Sequence, residues 1–169
     1  MSDLRFSSTL LRLLSTAACL LALGCASPPP PVSGAGAAAL SAEQSNDVAI
    51  HALGLVGTPY RYGGNTPDGG FDCSGLVGFV YADSAGVALP RTVDELSEFG
   101  RRERDPAALE SADLLVFSED PHGRDPSHVG IYVGGGRFVH APKSGGTVRL
   151  DDLAEPYWRE RFVSARRVL

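Results

Sequence analysis

Apolar residues recur at helical spacing in the segment that follows the N-terminal forty residues. Residues 42–56 carry one apolar stripe, which predicts a first helix. A second stripe starts at Cys73 and repeats at i, i+3, i+4, i+7 and i+8, and Gly86 just beyond it is a typical helix stop. A short third helix is predicted over residues 93–99.

After Pro106 the pattern changes to short apolar segments separated by Gly, Pro and Asp, which is typical of strands. The predicted strands cover residues 113–117, 128–133, 137–140, 147–150 and 162–168. Helices followed by a strand meander predict an α+β fold with an antiparallel sheet.

The N-terminal segment has a different pattern. Arg5 and Arg12 precede an apolar run of 11 residues, 13–23, which is shorter than the about 20 residues that cross a bilayer. We therefore predict a signal peptide over residues 1–24. The run ends in ALGC, which resembles a bacterial lipobox and implies that Cys25 becomes the lipidated first residue. Ordinary signal-peptide cleavage, giving a soluble product, is the alternative.

Residues 25–41 are rich in Pro, Ala and Gly, and four consecutive prolines favour an extended tether. The remainder, residues 42–169, has the length of one domain. Ala26 after the lipidated cysteine resembles the sorting signal of outer-membrane lipoproteins that face the periplasm. We therefore expect a membrane partner through the lipid anchor.

The net charge and the composition argue against several classes of function. The net charge of −5 and the single lysine argue against binding of nucleic acid, which depends on clustered basic residues. No CxxC pair is present, so a zinc ribbon or thioredoxin-type site is poorly supported. We expect no metal and no cofactor, and we expect a monomer.

Cys73 stands at the predicted start of the second helix, directly after Asp72. Asp is a good N-cap residue, and a helix N-terminus favours a thiolate over a thiol. The sequence therefore predicts a reactive nucleophile at Cys73, held against the sheet.

Two histidines on neighbouring predicted strands are candidates for its base. Strand alternation places His128 and Gly130 on one face, and three glycines make a turn into the next strand. A three-residue turn pairs Val133 with Arg137 and sets Gly130 opposite His140, so that both histidines share a face. The turn length decides this, because two or four residues would reverse the parity.

The pattern predicts a Cys–His–His site in which Cys73 is the nucleophile, His128 the base and His140 the residue that orients the base. Other interpretations remain open at this point. A cysteine on an apolar helix face is often core packing, and a histidine on a strand is often structural. A zinc peptidase would need further ligands beside the histidines.

Several motifs in the same order resemble the NlpC/P60 family: TPYRYGG at 58–64, FDCSG at 71–75, LPRT at 89–92, HVGIYVG at 128–134 and FVHA at 138–141. The resemblance implies a papain-like fold with N-terminal helices packed on a central antiparallel sheet. It implies a cysteine peptidase that hydrolyses stem-peptide or crosslink bonds of peptidoglycan through an acyl-enzyme. A catalytically inactive wall-binding lipoprotein and an amidase or acyltransferase on the same fold are the alternatives.

The resemblance also assigns roles to residues around the nucleophile. It implies that Tyr60 lies beside Cys73 and helps to hold the substrate or the oxyanion. It also implies that Asp72 and Ser74 help to form the pocket for the free end of the stem peptide. Arg91 matches a motif position without a clear role. Ala112 departs from the family, which usually has Gly before the aspartate at this point.

Overall fold

Three helices with polar N-caps form between residues 41 and 99. The computed structural model describes residues 39–143 and 146–168, so the predicted signal peptide, the predicted lipid site at Cys25 and most of the predicted tether lie outside the described residues. The helices before residue 100 are α1 (Ala42–Gly54), α2 (Cys73–Ala85) and α3 (Val93–Glu98). They agree with the predicted helices to within two residues at each end.

Each helix begins at a polar residue whose side chain accepts a backbone N–H that would otherwise lack a partner. Ser41 and Thr92 form capping boxes with the residue three positions later. Asp72 accepts from the backbone N–H of Gly75 at 2.7 Å. At the other end of α2, Gly86 has a φ of 67°, the left-handed conformation that ends helices.

The strands form a two-stranded hairpin and a six-stranded antiparallel sheet with the order β3-β8-β4-β5-β6-β7. Their bounds are β1 (Asn65–Thr66), β2 (Gly70–Phe71), β3 (Arg101–Glu103), β4 (Leu114–Ser118), β5 (Pro126–Gly134), β6 (Arg137–His140), β7 (Arg149–Asp152) and β8 (Phe162–Arg167). The predicted α+β class with an antiparallel sheet is confirmed.

The structure differs from the sequence prediction at the start of one strand and in two short elements that were not predicted. The strand predicted over residues 147–150 starts at Arg149, because Thr147 pairs with Pro59 and Val148 N–H donates to the carbonyl of Thr58 at 2.7 Å. Strand β3 and helix α4 (Pro156–Arg161) were not predicted. Both are too short for a periodic pattern, and β3 consists only of charged residues.

The two faces of the sheet carry separate apolar clusters. One cluster joins α1 and α2 to the sheet through residues such as Val48, Leu76 and Val129, all fully buried. The other lies on the opposite face and contains Phe117 and Trp158, the latter from α4. Within the described residues no helix combines the length and the hydropathy that crossing a bilayer requires.

The turn between β5 and β6 differs from the prediction, yet the predicted pairing holds. Arg137 pairs with Gly134 and not with Val133, so the turn has two residues. The register shifts between Tyr132 and Gly134, and this bulge adds one residue to β5. The bulge offsets the shorter turn, and Gly130 therefore pairs with His140 as predicted.

Ala112 stands in the turn before β4 with a φ of 69°, which is the left-handed region that favours glycine. The turn therefore has the backbone conformation that glycine provides in the family. The carbonyl of Ala112 accepts a hydrogen bond from the hydroxyl of Tyr81, and the N–H of Ala112 donates to the carbonyl of Tyr132 at 2.9 Å. Hydrogen bonds at both groups hold the alanine in this conformation.

Replacement by alanine is expected to have opposite effects on stability at two glycines of α2. A Cβ on Gly75 would come within 2.0 Å of the carbonyl oxygen of Gly64, whereas a Cβ on Gly78 meets nothing within 4 Å. We expect Gly78→Ala to stabilise the fold by about 0.5–1 kcal/mol, because alanine is the better helix former. We expect Gly75→Ala to destabilise it by about 1–3 kcal/mol through overpacking. Urea unfolding of both variants measures the two effects, and equal midpoints would contradict the close approach.

Candidate active site

Cys73 occupies the first position of α2, where the β1–β2 hairpin packs against the helix start. The carbonyl of Gly64 lies against Gly75 and accepts the N–H of Asp72 at 3.1 Å. Asp72 in turn accepts the N–H of Gly63 at 2.8 Å. This exchange of hydrogen bonds fixes the loop before the helix and, with it, the half-buried thiol of Cys73.

Arg91 joins Asp72 and Ser74 into one polar group. Its two terminal nitrogens donate to the two carboxylate oxygens of Asp72 at 3.0 and 2.6 Å, and one also contacts the hydroxyl of Ser74. Burial alone would raise the pKa of Asp72, but the hydrogen bonds from Arg91 and Gly75 outweigh it and the pKa lies below its usual value. The sequence had left Arg91 without a role, and the structure shows that it holds the Asp72 carboxylate.

Tyr60 lies on the loop before the β1–β2 hairpin, where its backbone N–H donates to the carbonyl of Gly146 at 2.9 Å. Burial raises the pKa of Tyr60, and electrostatic interactions with Cys73 and Asp72 raise it further, so the phenol stays protonated. Tyr60 pairs with Phe71, two residues before Cys73, so the tyrosine lies next to the loop that leads into the predicted nucleophile.

The histidine rings meet across strands β5 and β6. Nε2 of His128 and Nδ1 of His140 are 2.8 Å apart, and the rings stand nearly perpendicular. His140 is fully buried, whereas His128 is half-buried. The shared face that strand parity predicted is therefore correct, and it results from the pairing of Gly130 with His140.

Asp151 on β7 contacts His140 and so extends the histidine pair by a third residue, which the sequence did not predict. Its Oδ2 lies 3.0 Å from Nε2 of His140 and 2.9 Å from the indole nitrogen of Trp158. Arg149 donates to the same oxygen at 2.9 and 2.6 Å. The only sequence signal was an aspartate beside a predicted strand, and the predicted end of that strand at residue 150 left Asp151 outside the sheet.

Trp158 encloses both rings from the side of α4. It stacks on His128 with a centroid distance of 5.9 Å and meets His140 edge-on at 4.8 Å. The indole is almost completely buried. Its contact with the histidines depends on the tertiary structure, because α4 and the two strands are far apart in the sequence.

The pKa values of His128, His140 and Asp151 determine which of these side chains carry a proton or a charge at pH 7. Burial lowers the pKa of His128 to about 3 and that of His140 to about 4, so both are neutral at pH 7. Burial would raise the pKa of Asp151, but its hydrogen bonds to Arg149 and His140 outweigh this and keep it ionised.

An ionised Asp151 can only accept, so Nε2 of His140 carries a proton and its Nδ1 does not. His128 must then donate from Nε2 to that Nδ1. The Nδ1 of His128 is left without a proton and is the basic atom of the chain.

Cys73 differs from the prediction. Burial and the negative charge of Asp72 raise the pKa of its thiol, and they outweigh the backbone N–H groups of Val129 and Ser74 that favour the thiolate. The predicted lowering by the helix N-terminus is therefore wrong for the free protein. The N-cap that starts the helix is itself an anion next to the sulfur, and this reverses the expected effect.

The sulfur of Cys73 lies against the strand that carries the predicted base. The backbone N–H of Val129, the residue after His128, favours the thiolate. Within the described residues, no hydrogen bond joins the sulfur to either imidazole. Such bonds are often long in a free enzyme and tighten when substrate binds.

In the part of the chain that the structure describes, no three His, Cys, Asp or Glu side chains form a group that could hold a metal ion.

A cysteine at a helix N-terminus and a hydrogen-bonded imidazole pair on the antiparallel sheet are the elements of a cysteine peptidase site. The sequence model of the NlpC/P60 family matches residues 57–167, so the chain belongs to this family.

Two curated relatives come from Escherichia coli K12. Murein DD-endopeptidase MepH is 41% identical over 118 residues, which cover 68% of this chain and 42% of the relative. Murein DD-endopeptidase MepS/Murein LD-carboxypeptidase is 42% identical over 113 residues, which cover 67% of this chain and 57% of the relative. The chain thus spans about half the length of these relatives.

A solved structure of an NlpC/P60 family protein from Bacillus cereus has the same fold. Its TM-score is 0.68 at 29% identity, and the match covers 79% of this chain and 42% of that protein.

The raised pKa of Cys73 predicts a pH dependence for its alkylation. In the full chain without substrate, we expect the rate of reaction of Cys73 with iodoacetamide to rise with pH and to reach half its maximum above the ordinary thiol pKa of about 8.5. Mass spectrometry of the peptide that contains Cys73 measures the rate. The same peptide in urea is the control, because its midpoint should return to about 8.5. A rate that is already maximal near neutral pH would show a preformed thiolate and contradict this.

Proposed function

We propose that this chain is a peptidoglycan endopeptidase that cleaves stem-peptide or crosslink bonds through an acyl-enzyme on Cys73. The observation that supports this best is the 2.8 Å contact between His128 and His140 beside the helix that carries the cysteine. The activities named for the relatives MepH and MepS support the same class of substrate.

In the proposed first step, Sγ of Cys73 attacks the carbonyl carbon of the peptide bond while Nδ1 of His128 takes the thiol proton. The C–N bond then breaks, and the same proton passes from His128 to the leaving amine. A thioester to Cys73 remains. A water molecule attacks it with His128 again as the base, which releases the carboxylic acid and restores the thiol.

His140 and Asp151 are positioning residues in this scheme. When His128 gains its second proton, its Nε2–H still donates to His140, and His140 donates to the Asp151 carboxylate. The negative charge at Asp151 therefore favours the imidazolium through one intervening ring. Trp158 excludes water from both histidines, which strengthens these interactions.

Tyr60, Asp72 and Ser74 form the proposed substrate pocket. The protonated phenol of Tyr60 lies near the sulfur and is positioned to donate to the oxyanion that forms there. Asp72 and Ser74 hold the free end of the stem peptide. A substrate ammonium group then shares the Asp72 carboxylate with Arg91, which already occupies both oxygens.

Purified muropeptides test the reaction directly. We expect the full chain to release fragments with a new amine and a new carboxylate, identified by mass spectrometry, and we expect Cys73→Ala to release none. Identical products from the two proteins would contradict the proposal.

The same assay tests the positioning residue. We expect Asp151→Asn to lower kcat by about 10- to 100-fold, which corresponds to the loss of a charge-assisted hydrogen bond of about 1.5–3 kcal/mol. KM should change little, because Asp151 lies behind the histidines. Asp152→Asn is the matched control, since its exposed side chain only accepts the N–H of Ala154. Equal rates for the two variants would remove Asp151 from the scheme.

We also propose that removal of residues 1–24 leaves Cys25 lipidated and anchors the enzyme to the outer membrane, facing the periplasm. The basic start, the short apolar run and the ALGC sequence support this. Lipid chains contribute about 0.8 kcal/mol per buried CH₂, so several chains anchor stably. We expect Cys25→Ser to shift the protein from the membrane fraction to the soluble fraction and to remove the lipid mass. A protein that fractionates identically with and without this change would argue for the soluble alternative.

A further inference from the structure

An open cleft of about 380 Å³ lies where strand β8 begins, outside the residues assigned to the active site. Its walls come from β3, from the loop between β4 and β5, and from α4. The charged residues that line it are four arginines and one acid: Arg102, Arg104, Arg124, Arg159 and Glu160. The cleft is therefore strongly basic in a protein whose net charge is −5.

The positive charge in this cleft exceeds the negative charge beside it, because Glu160 is the one acid in the described lining and Glu98 is the one carboxylate that acts on Arg102. Within the described residues, none of the four guanidinium groups forms an ion pair, although other arginines such as Arg149 and Arg167 do. All four side chains are exposed. Burial lowers the pKa of Arg102, and repulsion from Arg104, Arg166 and Arg124 lowers it further, against the opposing effect of Glu98. A bound anion would relieve this repulsion.

The cleft lies close to the catalytic base. Phe162, which lines the cleft, pairs with Phe117 on β4, and Phe117 pairs with His128 on β5. Adjacent strands are about 4.8 Å apart, so Phe162 and His128 are separated by about 10 Å. An extended peptide advances about 3.3–3.6 Å per residue. The separation corresponds to about three residues of extended peptide, which would run outside the packed rings of Phe117 and Trp158.

Arginine is well suited to recognise a carboxylate at this distance. Its planar guanidinium donates two parallel hydrogen bonds to the two oxygens of a carboxylate. The D-glutamyl and diaminopimelyl residues of a stem peptide each retain a free carboxylate when they are linked through their other one. The proposed substrate thus carries the required anions within reach of the cleft.

We propose that this arginine cleft binds the free carboxylates of a peptidoglycan peptide about three residues from the bond that is cleaved. The proposal rests on the proposed function and adds a specificity site to it. It explains why an acidic protein keeps four unpaired arginines beside its catalytic end. An amidated stem peptide lacks these carboxylates and loses the interaction.

The test compares single substitutions at the two ends of the sheet. Arg124→Gln and Arg159→Gln each remove one charge from the cleft, and Arg137→Gln removes one at the opposite end, where β6 begins and the side chain is exposed. On muropeptides with free carboxylates, we expect each cleft variant to raise KM by about two- to fivefold at unchanged kcat, as for an exposed ion pair. We expect no change for Arg137→Gln, and no change for any variant on amidated muropeptides.

The outcomes separate this proposal from the proposed function. If the unmodified protein cleaves muropeptides but the cleft variants match Arg137→Gln, the cleft proposal is wrong and the endopeptidase stands. If the unmodified protein cleaves none, the endopeptidase itself fails. Binding of the same muropeptides to Cys73→Ala protein, measured by calorimetry, then tests the cleft without catalysis, and loss of affinity in the Arg124→Gln background is the expected result.

A third arm addresses another source of anions. Vesicles that contain phosphatidylglycerol offer phosphate headgroups in place of carboxylates. Cleft variants that bind these vesicles more weakly, while their KM for muropeptides stays unchanged, would overturn the proposal in favour of a membrane surface.

Discussion

The pairing of Gly130 with His140 is the constraint on which the site depends. It brings the two imidazoles onto one face of the sheet and within hydrogen-bonding distance. A side chain at Gly130 would come within 2.8 Å of the Phe138 ring, so the close approach also needs the missing Cβ. The pairing in turn depends on a bulge near Val133, because a two-residue turn without it would place the histidines on opposite faces.

Burial controls the chemistry of the site more than any single charge does. It keeps both histidines neutral and raises the pKa of the Cys73 thiol. Two charged residues remain ionised at the ends of the site, Asp72 against Arg91 and Asp151 against Arg149. Each carboxylate is held by an arginine, and the histidines and the thiol of the site are neutral.

One aromatic cluster lies between the proposed catalytic base and the arginine cleft. Phe117 contacts His128, Trp158 and Phe162 with ring centroids between 5.0 and 6.2 Å apart. It therefore supports the catalytic base, the indole that covers it, and the first residue of the strand that borders the arginine cleft. The strand end that carries His128 and the wall of the basic cleft are therefore parts of one packed unit.

The sequence by itself determined the α+β class, the start of the helix at Cys73 and the shared face of His128 and His140. These follow from local periodicity and strand parity, which nearby residues encode. Only the tertiary structure decided that Asp151 extends the histidine chain, because β7 reaches His140 through strand pairing that no local pattern specifies. It also reversed the expected pKa of Cys73, since burial and the charge of Asp72 depend on what surrounds the thiol in space.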